Sequence, residues 1–272
     1  MIARVFPSKT TATPDDDFAF FGLPPEQPID VSEVHVSVTF NWDKPAGEFL
    51  AGRWAKAGYK TKIGGPAYGD RHADVFIPGM YLKKGYVITS RGCDNNCWFC
   101  AVPQGVKELP ITDGHNLLDD NLLACSDGHI KAVFEMLGRQ KERPVFTGGL
   151  EAKGLKEWHV ELLAKVKPKA MFFAYDTPDD YEPLFAAGKL LQAHGFTLKK
   201  RKAFCYVLCG YPGDTLPEAK KRMIDTLKAG FMPFAMQYRD YDSGFKDPTW
   251  GRFQRSWCRP AAIVASNKEF FK

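Results

Sequence analysis

From residue 34 onward, short apolar runs alternate with longer stretches whose apolar side chains recur every three or four positions. The residues before them, with PDDD and LPPEQP, read as irregular. VHVSVTF (34–40) is β-branched and predicts a strand. Asp43-Lys44-Pro45 predicts an N-cap with an early helical proline, and Ala46, Leu50, Trp54 and Ala57 form the apolar stripe of a helix that Gly58 ends. YKTKIGG returns the chain to a strand and a glycine turn, completing a β-α-β unit. The following GGPAYGD predicts a loop.

A second series starts at Tyr86. YVITS (86–90), VFTGG (145–149), AMFFAYD (170–176), AFCYVLCG (203–210) and FMPFAMQYRD (231–240) predict strands. Between them lie helical stripes: Ile130, Val133, Phe134 and Leu137 behind Ser126-Asp127, then Leu155, Trp158, Leu162 and Val166. Thr177-Pro178-Asp179-Asp180 and Thr215-Leu216-Pro217-Glu218 resemble capping boxes, and His194-Gly195 and Gly230 mark helix ends. Strands that recur at intervals of roughly 25 to 45 residues, with helices between, predict a parallel sheet. A complete eight-stranded barrel takes about 250 residues, and the chain from Tyr86 onward has about 187. The expected fold is therefore α/β: a partial (β/α) TIM-like barrel, with a small N-terminal β-α-β unit. An open doubly wound sheet is the alternative, and in both the chemistry collects on loops at the carboxyl ends of strands.

Composition changes this picture little. The chain of 272 residues carries 37 basic and 32 acidic residues, a formal net charge of +5, too mild to indicate a polynucleotide partner. MIARVFPSKT has no apolar run behind its early arginine, so neither a signal peptide nor a membrane span is expected, and a cytoplasmic setting follows. In a reducing compartment the seven cysteines read as free thiols or metal ligands rather than disulfides.

Three of them decide the chemistry. Cys93, Cys97 and Cys100 fall within GCDNNCWFCAVP, directly after a predicted strand. Structural zinc is one reading; it takes four tetrahedral protein ligands, so His115, Cys125 or His129 must fold back to complete the set. An iron–sulfur cluster is the other: thiolates suit it, and the loop's short polar residues leave backbone N–H groups for the sulfurs. Three cysteines would hold three irons of a 4Fe–4S cube and leave the fourth open.

This spacing resembles the cluster motif of the radical S-adenosylmethionine (radical SAM) superfamily, C-x3-C-x-aromatic-C, with Phe99 in the aromatic position beside the adenine. The resemblance implies a partial barrel of radical SAM type, with a 4Fe–4S cluster and S-adenosylmethionine as cofactors. It implies reductive cleavage of the sulfonium at the open iron to give a 5′-deoxyadenosyl radical that takes a hydrogen from a substrate. An external electron donor such as flavodoxin or ferredoxin would supply the electron. Thr147, Gly148, Gly149 and Glu151 resemble the glycine-glycine-glutamate segment that holds the methionine amino group, with Leu150 inserted ahead of the glutamate. Asp176 is placed for the ribose, Val207 in CYVLCGYPGDT for the nucleoside, and Arg201 for the methionine carboxylate; a helix-starting Asp176 and a solvated Lys-Lys-Arg-Lys run are the plainer readings.

Tyr238, Arg239 and Asp240 are candidates for substrate contacts, and the substrate class left open includes a nucleic acid or modified nucleoside. Cys205 and Cys209 share one face of a strand and read as buried free thiols rather than a second cluster. Cys258, in RSWCRP, is expected to pack; a mobile thiol donor is the alternative. The N-terminal unit is similar to a shortened Rossmann-like domain of cobalamin-dependent members, yet the Asp-x-His-x-x-Gly cobalt-ligand motif is absent, with His35 in a strand and His72 in another context, so cobalamin is not expected. The predicted organisation is a truncated Rossmann-like unit over 1–85, a radical SAM core over 86–240 and an extension covering the cavity over 241–272. A zinc-stabilised binding module, for nucleic acid through its basic C-terminal segment, is the alternative function.

Overall fold

The computed structural model describes residues 1–69 and 77–272 and divides into two compact units, 1–86 with 240–245, and 87–239 with 246–272. Asp70 of the GGPAYGD loop and His72 lie outside the described residues.

In the smaller unit, β1 (Ile2–Phe6), β2 (Ala19–Phe21), β3 (Glu33–Ser37) and β4 (Thr61–Gly64) form a parallel sheet in the order β2-β1-β3-β4. Its one long helix, α1 (Lys44–Lys56), carries Pro45 near its start as predicted, but Asp43 makes no capping bond because a 3₁₀ turn already leads into the helix. The buried stripe is Gly47, Leu50 and Trp54; Ala46 and Ala57 are exposed. The register shifts to Gly47 because a Cβ there would come within 2.5 Å of Val38, so the helix lies on the sheet through its glycine. Valines 5, 34, 36 and 38 and Trp54, whose indole donates to the Gly22 carbonyl (3.0 Å), make the core. His35 is held between the Tyr81 hydroxyl (2.7 Å) and the Glu33 carboxylate (3.0 Å), as a strand side chain in a polar ladder.

The larger unit is built on six strands: β5 (Tyr86–Val87), β8 (Asn116–Leu117), β9 (Val145–Gly149), β10 (Ala170–Ala174), β11 (Ala203–Cys209) and β12 (Met232–Gln237). They stand in chain order across the sheet, and every pairing from β8 to β12 is parallel. The long crossovers are α2 (Asp127–Arg139), α3 (Glu157–Val166), α4 (Tyr181–Ala193) and α5 (Leu216–Lys228). Helices α6 (Gly251–Trp257) and α7 (Pro260–Ser266) follow β12. Sequential order with parallel crossovers is the arrangement of a partial α/β barrel, as expected.

The elements begin where the capping chemistry puts them. Ser126 Oγ accepts from the His129 N–H (3.3 Å), and Thr215 Oγ1 from the Glu218 N–H (3.4 Å). At 177–180 the relation runs backward: Asp180 accepts from the N–H and hydroxyl of Thr177 (2.8 and 3.0 Å). The stripe of α3 differs from the predicted one: His159, Val160 and Leu163 are buried, while Leu155 precedes the helix and Trp158, Leu162 and Val166 are half-buried. Apolar Trp158 and Leu162 at its flank had drawn the expected stripe by one position.

Alternation along β11 separates two faces. Cys205, Val207 and Cys209 are buried, with Thr226 of α5 in hydrogen-bonding reach of Cys205, whereas Phe204, Tyr206 and Leu208 are only half-buried. Phe172 of β10 stacks on Phe204 (5.0 Å between centroids) and Tyr206 (4.6 Å), and Phe234 of β12 stands edge-on to Tyr206. The concave face thus carries a stack of half-buried aromatic rings, and the convex face is fully buried under the helices, with Phe146 against Phe134 of α2 and Phe173 against Phe231. Gly188 of α4 marks the tightest point of that cover: a Cβ would come within 1.8 Å of the Ala229 carbonyl at the end of α5. Gly188→Ala must push two helices apart, and a loss of about 1–3 kcal/mol is expected; the check is the midpoint of urea unfolding at unchanged slope.

Candidate cofactor site at the cysteine loop

YVITS does not form one strand. Val87 joins the main sheet, and Ser90–Arg91 turns away as β6 to pair antiparallel with β7 (Lys107–Glu108). The three cysteines therefore sit in a loop closed at its base by a ladder. Inside, the Cys93 N–H donates to the Pro103 carbonyl (3.1 Å) and the Gly105 N–H to the Cys93 carbonyl (3.2 Å). Gly92, at φ 90°, has no room for a Cβ, which would fall 1.8 Å from the Gly105 carbonyl oxygen.

Residues 118–121, between β8 and α2, brace this loop. Asp119 is buried and accepts from the Thr89 N–H (2.6 Å), the Thr89 hydroxyl (2.5 Å) and the Ser90 hydroxyl (2.9 Å). Burial pushes its carboxyl above the ordinary range, against the pull of those donors. Asp120 accepts from the Gly92 N–H (2.9 Å) and faces the Arg91 guanidinium (3.6 Å). Asn121 donates to Glu151 Oε2 (2.9 Å) and to Cys93 Sγ (3.5 Å). Sequence reasoning missed this segment. The signal was there: three short polar residues flanked on both sides by Leu-Leu, in a run that must be mostly buried.

Glu151, just past β9, also accepts from the Asn95 side chain (3.1 Å), so the extra Leu150 does not carry it away from the cysteine loop. Leu150 itself is buried, and its N–H donates to the Phe172 carbonyl (3.0 Å). The glycines serve a different neighbour from the expected one. A Cβ on Gly148 would lie 2.0 Å from the Asp119 carbonyl oxygen, and one on Gly149 2.9 Å from that of Asp120. What approaches them is the bracing segment of the chain itself. Thr147 donates its hydroxyl to Asn116 Oδ1 (2.6 Å), and its carbonyl accepts from the Tyr206 hydroxyl (3.3 Å).

The other strand ends converge on the same loop. Asp176, after β10, accepts from the Leu208 N–H (2.9 Å), and burial pushes its carboxyl up to about 6. Cys97 is an exposed residue, yet partial desolvation of its thiol, then Cys100, Asp176, Cys93 and Asp180, push it up to about 11. The three thiols and two carboxyls are thus close enough to feel one another. Trp98 is 62% exposed and touches Phe99, Tyr211 after β11 and Tyr238 after β12. Tyr211 is held in turn by Arg222, whose guanidinium lies 5.3 Å from the ring centre and pairs with buried Asp214 (2.8 Å).

Four expectations need correction or relocation. Val207 points its fully buried side chain into the helix-covered face, away from the concave side, because period two places it with Cys205 and Cys209. Arg201 sits in a left-handed turn (φ 49°) ahead of β11, at the amino-terminal edge of the sheet, a strand's length of roughly 20 Å from the cysteine loop. Asp240 belongs to the smaller unit and accepts from Ser243 in its own turn (2.8 and 2.6 Å), while Tyr238 and Arg239 belong to the larger one. The zinc completion set stays apart: His115 faces Glu142 (3.9 Å), His129 faces Glu108 (3.7 Å), and Cys125 is buried. Among the described residues no three His, Cys, Asp or Glu side chains gather tightly enough to hold a single metal ion. Cys205 and Cys209 are buried free thiols pushed up by burial, the latter to about 12, and Cys258 is half-buried at the end of α6.

No family model matches the chain, and no curated protein matches it in sequence. Solved structures do. A radical S-adenosylmethionine methyltransferase, TsrM, from Kitasatospora setae, with cobalamin and a 4Fe–4S cluster bound, aligns over 89% of this chain and 76% of its own at a TM-score of 0.60 and 12% identity. The same enzyme with a tryptophan substrate and a SAM analogue (aza-SAM) bound aligns over 89% and 74% at 0.59 and 12%. The likeness is one of fold: the parallel α/β architecture with a partial barrel is shared with a radical SAM enzyme. No helix among the described residues is long and apolar enough to cross a membrane.

Asp176 gives the site a pH signature. Its carboxyl stands at about 6 in the folded chain against 3.8 ordinarily, so between these values the native state keeps a proton that the unfolded chain has released. Stability therefore falls as pH rises through that window. Asp176→Asn stays neutral and keeps an acceptor for Leu208. Relative to wild type it is expected to gain on the order of 1–2 kcal/mol at pH 7, and nothing at pH 4, in paired urea titrations.

Proposed function

We propose that this chain is a radical SAM enzyme, in which Cys93, Cys97 and Cys100 hold a 4Fe–4S cluster. The observation that carries the reading is the meeting of three thiols, on a loop closed by backbone bonds, with the carboxyl ends of the neighbouring strands of a partial barrel. The donor chemistry fits. A cubane binds each cysteine to a different iron, so its sulfurs stay well separated, unlike the four ligands crowded about 2.3 Å from one zinc. Cys100 and Cys93 both lie near enough to raise the Cys97 thiol electrostatically. Cys93 Sγ already accepts from the Asn95 N–H (3.4 Å) and from Asn121, the kind of donor that stabilises a ligating sulfur. Cys97 would ligate as a thiolate, so its raised proton would have to leave on metal binding.

When bound, the cluster supplies one electron, drawn from an external donor protein, to cleave S-adenosylmethionine into methionine and a 5′-deoxyadenosyl radical, which takes a hydrogen atom from the substrate. The chain's own work is to bind and orient. Glu151, whose two carboxylate oxygens accept from the neutral amides of Asn95 and Asn121, offers its charge to the ammonium of S-adenosylmethionine. Phe99 and Trp98 offer ring faces to the adenine, with Tyr211 and Tyr238 closing the aromatic group. Asp176 stands for the ribose. The aromatic concave face below, from Phe172 to Phe234, offers the substrate an apolar floor.

Anaerobic reconstitution tests the reading. Wild type is expected to take up about four irons per chain and to release 5′-deoxyadenosine on reduction, and Cys97→Ala to lose both. A colourless wild type that holds one zinc and forms no deoxyadenosine would refute it.

A further inference from the structure

Asn121 is 3% exposed and begins the 3₁₀ turn Leu122–Ala124. An asparagine at that position ordinarily turns its oxygen back onto the free N–H groups of the turn it starts. This one does not: no side-chain cap is made, and its Oδ1 is buried without a partner. A buried acceptor left open costs about 1–3 kcal/mol, and a rotation toward the turn's own N–H groups is the evident way to relieve it. The carboxamide is instead turned so that its nitrogen donates to Glu151 Oε2 (2.9 Å) and Cys93 Sγ (3.5 Å). The assignment of oxygen and nitrogen follows from these neighbours. Flipped, the amide would set its oxygen 2.9 Å from a carboxylate oxygen, a repulsion that the weak S–H donor of Cys93 at 3.5 Å does not offset. Both amide hydrogens are therefore committed, one to a residue after β9 and one to the first cysteine of the loop. The capping bond is the one forgone.

We infer that Asn121 is a positioning residue that couples the amine-binding carboxylate to the cysteine loop, holding Glu151 and Cys93 in fixed relation through the two hydrogens of one amide. The inference rests on the radical SAM reading and extends it to a residue outside the cysteine motif and the glycine-glycine-leucine-glutamate segment. The coupling explains how Glu151 keeps its place despite the inserted Leu150. Asn95 holds Glu151 Oε1 (3.1 Å) from an exposed side chain, whereas Asn121 holds Oε2 (2.9 Å) from the buried side. It also fixes the direction of any change. Removing the amide frees the carboxylate and strips a donor from the Cys93 sulfur; replacing it with a carboxylate turns both attractions into repulsions.

The test uses the full chain, reconstituted anaerobically, as wild type, Asn121→Ala, Asn121→Ser and Asn121→Asp. The first readout is equilibrium binding of two probes: S-adenosylmethionine, and its analogue with hydrogen in place of the α-amino group. The second is the midpoint potential of the cluster. The expected result is a loss of S-adenosylmethionine affinity of about tenfold or more in the alanine variant and more in the aspartate variant. Affinity for the desamino analogue should stay within about twofold in the alanine and serine variants, and the midpoint potential should fall in both because a donor to sulfur is lost. Equal losses for both probes, or wild-type binding and potential throughout, would overturn the coupling. So would loss of the fold in all three variants by thermal melting, since Asn121 would then be a packing residue. A wild type that forms no cluster, or binds neither probe, would overturn the radical SAM reading itself and the coupling with it. Failure confined to the variants' pattern would overturn the coupling alone.

Discussion

The buried carboxylate of Asp119 is the contact on which the larger unit's chemistry depends. It receives three donors from Thr89 and Ser90, the two residues that carry the chain out of the sheet and into the base of the cysteine loop. Placing a carboxylate in the interior is costly, and its raised proton affinity records that cost. The gain is direction. Without the carboxylate, the Thr89 N–H and hydroxyl would need other partners in a dry interior, and the turn from Val87 to β6 would have no fixed angle. The strand beside it answers the same constraint: Gly148 gives up its side chain so that the Asp119 backbone can lie against β9.

From that contact a rigid edge spreads outward. Asp120 fixes Gly92 and Arg91, Asn121 fixes Glu151, and Asp176 fixes the Leu208 N–H between β10 and β11. Short polar residues just beyond β8 and β10 thus hold backbone donors, while Asn121 holds side chains of the cysteine loop and of the turn after β9. The aromatic residues after β11 and β12 do the matching work on the exposed side, where Trp98 lies against Tyr211 and Tyr238.

Much of this was legible in the sequence, for identifiable reasons. The strands at 145–149, 170–174, 203–209 and 232–237 are short, apolar and bounded by Gly, Pro or charged residues, so their period could not be mistaken for a helix. The helix starts at Ser126 and Thr215 followed from side chains that can reach only a local N–H. What failed was information held between elements. The stripe of α1 moved to Gly47 because sheet and helix meet there without a side chain, and no periodicity rule counts a glycine as apolar. Arg201 and Val207 were assigned by nearness to a strand whose start at residue 203 was expected correctly; which of its faces the helices cover is settled by packing between elements. The polar triplet between two leucine pairs marked the bracing segment 118–121, but not its role, because its partners lie roughly 30 residues away in both directions.

The ladder between β6 and β7 has a consequence for how such a site is maintained. Its backbone bonds, with those between Cys93 and residues 103–105, close the loop by themselves. The chain entropy of bringing residues 92 and 105 together is surrendered when the polypeptide folds, not when metal arrives. Small zinc modules work the other way, since their metal supplies the free energy of folding and its removal unfolds them. Here the hydrophobic interior of the barrel is built without any of the three thiols, so on the proposed reading oxidative loss of a cluster would leave an intact receptacle, ready to be refilled rather than resynthesised.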